Sequence, residues 1–248
     1  CEEEYAQKVN EAARVIADRV RTSSIILLSG PSGSGKTTTA MKIQRALGVF
    51  GVGTKTVSMD RYYKTVDPET VKRSADGSVD FESPESLDLP LLSAQIEALA
   101  RGEEVEIPDF DFPNQCRKEK TTPLRVESNE LIIFEGIHAL NDTIAPHVKN
   151  QAIRLYISAR SNFEWEDHVV FKGTWTRLCR RIIRDELFRG TSPGFTLGLW
   201  NNIRVGEKAY ISPFKSHADI IINSTHPYEV GALRPHIQHA FVNIPQGI

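Results

Sequence analysis

Apolar residues recur in two rhythms along the chain. In residues 2–21, Tyr5, Val9, Ala12, Ala13, Ile16 and Val20 stand at helical spacing with charges between them, which predicts an amphipathic helix. Five short apolar runs follow, at 25–29, 54–59, 131–135, 152–158 and 218–223, each of strand length. Helical patterns separate them at 36–48, 85–100, 163–188 and 195–209. Strands alternating with helices predict an α/β fold with a five-stranded, mainly parallel sheet covered on both faces. The second and third strands lie far apart in sequence, and residues 103–127 between them hold short extended pieces among prolines. That stretch reads as a small β-rich lobe or substrate lid inserted between core strands. The expected organisation is an N-terminal helix and possible linker from an upstream region over 1–22, one domain over 23–225, and a C-terminal tail over 226–248.

One motif changes the picture from fold to chemistry. Gly30-Pro31-Ser32-Gly33-Ser34-Gly35-Lys36-Thr37 fits G-x-x-x-x-G-K-[ST], with a predicted strand entering and a predicted helix leaving. Glycines let backbone N–H groups turn inward around phosphate oxygens, and the following helix points its positive end at them. Gly30, Ser32, Gly33, Ser34, Gly35, Lys36, Thr37 and Thr38 are therefore candidate nucleotide contacts. Lys36 can reach the β- and γ-phosphates of ATP, and the Thr37 hydroxyl can bind Mg²⁺.

Open α/β sheets bind ligands beyond the carboxyl ends of their strands, so acids placed there matter most. Asp60 follows Thr56-Val57-Ser58-Met59, and Glu135 follows Leu131-Ile132-Ile133-Phe134. If both strands flank the first, one carboxylate helps hold Mg²⁺ while the other accepts the proton of an attacking hydroxyl. Further on, Arg177, Arg180, Arg181, Arg184 and Arg189 cluster in one predicted helix. Alone this would read as a solvated face balanced by Asp185 and Glu186. Beside a phosphate loop it reads as a lid that clamps phosphates.

Composition narrows the partners. The 248 residues carry 30 basic and 32 acidic side chains, a formal net charge of -2, which argues against duplex DNA as the main partner. No apolar run is long enough to span a membrane. Three cysteines, Cys1, Cys116 and Cys179, make neither a zinc knuckle nor a disulfide framework, so a reducing, cytoplasmic setting is expected. Nothing in the pattern sets the oligomeric state.

Six motifs in order resemble the phosphoribulokinase/uridine kinase family of P-loop kinases, on the uridine kinase side, over roughly residues 24–224. They are Ser29 to Thr37; Met59-Asp60-Arg61-Tyr62-Tyr63-Lys64; Asp80-Phe81-Glu82-Ser83-Pro84; Ile107-Pro108-Asp109-Phe110-Asp111-Phe112; Phe134-Glu135-Gly136-Ile137; and Arg180-Arg181-Ile182-Ile183-Arg184-Asp185, closing at Arg189-Gly190. The resemblance implies strand order 2-3-1-4-5, ATP and Mg²⁺, and Asp60 as the base. It implies Tyr63 and Glu82 near the substrate sugar, Glu135 near the metal, and Arg181, Arg184 and Arg189 over the phosphates. Ile137-His138-Ala139-Leu140-Asn141 and Ser212-Pro213-Phe214 are similar to a branch whose kinase domain follows a threonyl-tRNA synthetase-like region, and a start without Met suits a fragment of such a chain. His138 itself reads as structural, and Trp165, Trp175 and Trp200 as packing or lid residues.

The departures concentrate on the base pocket. Where the family reads the base with Tyr, His, Arg and Gln, motif spacing places Phe110, Gln115, Thr191 and Leu199. Phe110 can stack but lacks a phenolic donor, and Thr191 and Leu199 cannot supply long polar groups. The expected function is transfer of the ATP γ-phosphoryl group to a small-molecule hydroxyl, a nucleoside 5′-hydroxyl first, with altered base preference. The alternatives are a kinase for a sugar phosphate, pantothenate or glycerate, for which Lys72 and Arg73 are the only extra cations near Glu82, and an ATP-binding module without turnover.

Overall fold

The computed structural model describes residues 2–74, 77, 79–144, 146–148 and 151–242; Cys1 and the last six positions of the expected tail, 243–248, lie outside them. The central sheet has five parallel strands: β1 (Ile25–Ser29), β2 (Gly53–Ser58), β3 (Glu130–Glu135), β4 (Ile153–Ser158) and β5 (Ile220–Asn223). Their spatial order is β5-β4-β1-β3-β2, the expected 2-3-1-4-5 read from the other edge. β1 sits in the middle and is buried along its whole length, which is why its run Ile25-Ile26-Leu27-Leu28 is apolar on both faces.

Side chains alternate across the sheet into two cores. Ile25, Leu27, Ile132 and Phe134 pack with helix α3 (Leu89–Ala100) on one face. Ile26, Leu28, Ile133 and Leu155 pack on the other with α2 (Lys36–Val49) and the amphipathic α1 (Glu2–Asp18). Tyr5, Val9, Ala12, Ala13 and Ile16 are the buried stripe of α1, as their spacing predicts. The inserted lobe consists of two antiparallel pairs, Val105–Ile107 with Thr122–Leu124 and Phe110–Asp111 with Cys116–Arg117.

Three elements differ from the periodicity. The helix expected over 163–188 begins only at Gly173: Phe163–Trp165 and His168–Phe171 pair antiparallel, and α4 then runs Gly173–Arg189. Glu166 and Asp167 turn this hairpin with φ of 48° and 62°, without the glycine or asparagine that would advertise such a turn. The helix expected over 195–209 is α5 (Pro193–Gly206), capped by Ser192, and gives way to a π turn and a 3₁₀ segment. Residues 229–242 of the expected tail form a helix, α6 (Glu229–Val242), that packs on α4.

One buried ion pair ties this frame together. Arg177 of α4 is 2% exposed; it donates to both carboxylate oxygens of Glu207 at 3.0 and 2.9 Å, and to the Ser32 carbonyl at 3.2 Å. Arg177→Met would leave the Glu207 carboxylate buried with only Arg204 beside it. Removing one partner of a buried pair costs about 3 kcal/mol or more. In a chain of this size that predicts a fall in Tm of roughly 6–12 °C, read by calorimetry.

Candidate active site

The loop after β1 turns tightly at the sheet's centre. Gly33 has φ 72°, and a Cβ there would stand 2.4 Å from the Arg177 carbonyl, so glycine is required by conformation and by space. The same helix that crowds the loop also holds it. Arg177 and Arg180 donate to the carbonyls of Ser32 and Gly33 at 3.2 Å each, and Ser224 Oγ donates to the Ser34 carbonyl at 2.6 Å. Arg180 is pinned in turn by Glu229 of α6 and the Ser224 carbonyl. With carbonyls bound from behind, the loop N–H groups are left for a ligand at the α2 N-terminus.

Two clefts open on either side of this loop and share Lys36, Thr37 and Arg184. The first, about 390 Å³, runs over Gly33, Gly35 and Thr38 toward Lys42, Arg180 and His226. The second, about 320 Å³, holds Ser32, Asp60, Tyr63, Glu82, Glu135, Arg181 and Arg189, with Phe81 and Phe112 as its apolar wall. Sequence distant by more than a hundred positions is thus gathered at the carboxyl ends of β1, β2 and β3, where a parallel sheet places its ligands.

Register explains the acids. Ser58 pairs with Glu135 across β2 and β3, so the two strands end level and the 3₁₀ turn Met59–Tyr62 that carries Asp60 follows directly. The Asp60 backbone N–H is capped by Ser58 Oγ at 3.4 Å, leaving its carboxylate to the cleft. Thr37 Oγ1 donates to Glu135 Oε1 at 3.2 Å. Burial raises the Glu135 carboxyl pKa, against the pull of Lys36, and burial likewise lowers that of Lys36, against Glu135 and Asp60. Hydroxyl and carboxylate oxygens suit a hard cation that takes the rest of its shell from phosphate and water. Among the described residues no cluster of three or more His, Cys, Asp or Glu could hold a metal unaided.

The five arginines divide by face. Arg177 and Arg180 hold loop carbonyls, with Arg180 also in the wall of the first cleft, whereas Arg181, Arg184 and Arg189 line the second. Asp185, on the solvated face of the sequence reading, is buried and gathers those three at 3.2, 2.7 and 3.7 Å. Arg181 also donates to Ser32 Oγ at 2.6 Å and stands 4.0 Å from Glu82. A buried acid behind three cations fixes their positions before any anion arrives.

Glu82 is the most perturbed acid of the cleft. Burial pushes its carboxyl up to about 7, the opposing pull of Arg181 and Lys36 being weaker. The folded state therefore keeps a proton that the unfolded chain, with its ordinary value of 4.5, releases. Stability from this group is full below about pH 4.5 and is lost as pH rises through about 7. Glu82→Gln should flatten the decline of Tm across that window relative to wild type, a difference a pH series of melts reads directly. Two neighbours are structural. The Tyr63 hydroxyl donates to the Phe81 carbonyl at 3.0 Å, so its ring rather than its proton faces the cleft. Buried His138, pushed down to about 4 by burial, is neutral at pH 7.

The residues expected at the base pocket do not all reach it. Phe110 is buried at 4% exposure behind Tyr63 and Phe112, and Gln115 sits at an exposed hairpin tip with φ 50°. Thr191 donates its N–H to the Asp185 carbonyl beyond α4, and Leu199 lies on α5; neither lines the cleft. Phe112, two residues past Phe110, is the side chain that faces the cleft and is half exposed. Alternation along a strand does not tell the two apart, since residues i and i+2 share a face; Phe110 lies in the two-residue strand and Phe112 in the turn that follows it. Lys72 bonds Glu85, Ser83 and Tyr210, and Arg73 the Gly77 carbonyl, so neither serves the cleft as an extra cation.

Comparison with known proteins decides the family. The sequence profile of the Phosphoribulokinase / Uridine kinase family matches residues 25–230. The chain belongs to this family. The uridine kinase of Macrococcus caseolyticus is 30% identical over 201 residues, covering 81% of this chain and 87% of that one. In fold the chain is similar to a possible uridine kinase from Bacillus stearothermophilus, with TM-score 0.55 and 15% identity over 88% of this chain and 99% of that one. It is similar also to the D-glycerate 3-kinase of Cryptococcus neoformans, with TM-score 0.55 and 16% identity over 82% and 88%. As a member of the family it is an ATP-dependent phosphotransferase that acts on a hydroxyl. No helix among the described residues is long and apolar enough to cross a membrane.

Proposed function

We propose that the protein transfers the ATP γ-phosphoryl group to the 5′-hydroxyl of a nucleoside, with weak discrimination among bases. The observation that carries this reading is the meeting of two clefts at Lys36, Thr37 and Arg184, with Asp60 on the far side from the nucleotide end. ATP laid along the phosphate loop would present its terminal phosphate at that junction, in line with a hydroxyl beside Asp60.

Each residue then has a distinct task. Asp60 takes the hydroxyl proton as the oxygen attacks, and Lys36 with Arg181, Arg184 and Arg189 offsets charge on the transferring group. Thr37 and Glu135 carry the oxygens that would hold Mg²⁺, which would supply neutralisation of phosphate charge. Glu82, with one buried oxygen that has no hydrogen-bond partner, can accept from sugar hydroxyls, and Phe81 and Phe112 offer aromatic faces to a base.

Among the described residues that line the second cleft, the uncharged polar side chains are Ser32, Thr37, Ser58 and Tyr63, three short hydroxyls and a phenol already bonded to the Phe81 carbonyl, so selectivity has little to act on. We expect kcat/KM values for uridine, cytidine, adenosine and guanosine within about tenfold of one another, since a single missing hydrogen bond is worth on the order of 1 kcal/mol. An ADP-release panel of nucleosides with D-glycerate, pantothenate and a pentose phosphate tests this. Turnover restricted to a non-nucleoside would replace the acceptor while leaving the phosphotransferase in place.

A further inference from the structure

Part of the wall of the first cleft comes from an element outside the family-matched residues 25–230. Tyr5 of α1 is buried there, and its hydroxyl lies 2.6 Å from Thr39 Oγ1, which itself donates to the Gly35 carbonyl at 2.9 Å. The Tyr5 ring meets the His226 ring edge-on at 5.1 Å, and Lys42 Nζ stands 4.6 Å over its face. On its other side His226 stacks on Tyr228 at 5.5 Å, whose hydroxyl donates to Glu2 of α1 at 2.6 Å. The helix is thus latched at two points to the segment that follows β5.

His226 carries the polar handle of this wall. Its Nδ1 is buried and has no hydrogen-bond partner among the described residues, although the ring borders the cleft. A buried ring nitrogen without a partner costs free energy, and the rest of the ring lies along the cleft wall. Its backbone N–H is fixed by Glu229, which also holds Arg180 and through it the loop carbonyl of Gly33. Burial lowers the imidazole pKa, so the ring is neutral at pH 7 and can donate or accept at a base edge.

Resting on the kinase reading above, we infer that α1 is a working wall of the nucleotide site: His226 contacts the purine of the phosphate donor, and Tyr5 positions His226 and closes the base subsite. The loop holds the phosphates, which leaves the part of the same cleft lined by Tyr5, Lys42 and His226 for the base. Linkage follows: whatever moves α1 changes affinity for the donor, and the donor holds α1 in place by the same factor.

The test compares two probes that share phosphates but not a base. Dissociation constants of ATP and of inorganic tripolyphosphate are measured by calorimetry, without acceptor, for wild type, Tyr5→Ala and His226→Ala. We expect each variant to weaken ATP about tenfold while changing tripolyphosphate less than twofold. Equal weakening of both probes, or of neither, would overturn the assignment. Should Tyr5→Ala fold poorly, hydrogen exchange on wild type decides: ATP must slow exchange of the α1 amides over residues 2–13 more than tripolyphosphate does, and equal protection would refute the coupling. Wild-type protein that binds tripolyphosphate but shows no preference for ATP defeats this inference alone, whereas binding of neither defeats the kinase reading with it.

Discussion

Lys36→Ala is expected to bring ATP turnover to the detection floor, a loss of roughly 10²–10³-fold or more. Lys36 is the one cation shared by both clefts that belongs to the loop itself, and it is held among Asp60, Glu135 and Glu82 by mutual attraction. Removing it deprives the developing charge of its nearest side-chain cation. It also leaves Glu135 with less compensation for its burial, so the carboxyl should rise further and hold Mg²⁺ less well. Arg181, Arg184 and Arg189 cannot substitute, because Asp185 fixes all three in place. Coupled ADP-release kinetics at saturating ATP check this, and wild-type turnover in the variant would exclude the loop as the phosphate site.

Asp60→Asn tests the proposed base separately from the nucleotide machinery. The change keeps shape and size and removes only the proton acceptor, so kcat should fall by about 10²–10⁴-fold. ATP affinity should hold within about twofold, because Asp60 lines the acceptor cleft and not the nucleotide end. A loss of ATP affinity with an unchanged rate would instead make Asp60 a metal ligand only. Parallel measurement of kcat and of ATP binding distinguishes the two.

How far the sequence carried this reading depends on the range of the forces involved. Buried strands declare themselves because both faces need apolar residues, so β1 to β5 were legible and so was their order through the resemblance. The phosphate loop was legible because its glycines answer a local demand of backbone geometry. The division of the arginines was not, because Arg177 and Arg181 stand one turn apart on α4 yet face Glu207 and Glu82, partners separated by more than a hundred residues. Asp185 was hidden for the same reason: a charge beside charges reads as solvated until the cleft that buries it is known. That Phe112 and not Phe110 lines the second cleft was not legible, because it depends on a turn that begins just after the two-residue strand Phe110–Asp111. The hairpin over 163–171 was missed because Glu166 and Asp167 make a turn without glycine.

On the proposed reading, one set of residues serves stability and chemistry together. Arg177 and Arg180 hold loop carbonyls from behind, which orients the loop N–H groups toward a phosphate without needing the ligand to order them. Asp185 performs the equivalent task for the three arginines opposite. Pre-ordering on both sides of the junction would remove reorganisation from the proposed transfer step, in which charge develops.

The most direct measurement is ³¹P NMR of the purified protein with ATP, Mg²⁺ and a nucleoside, followed to completion beside the Asp60→Asn variant. The account predicts a new phosphomonoester resonance coupled to the 5′-methylene protons, growing as ADP grows, and nearly absent for Asp60→Asn. ADP accumulating with inorganic phosphate alone, or equal rates in the two proteins, would contradict it.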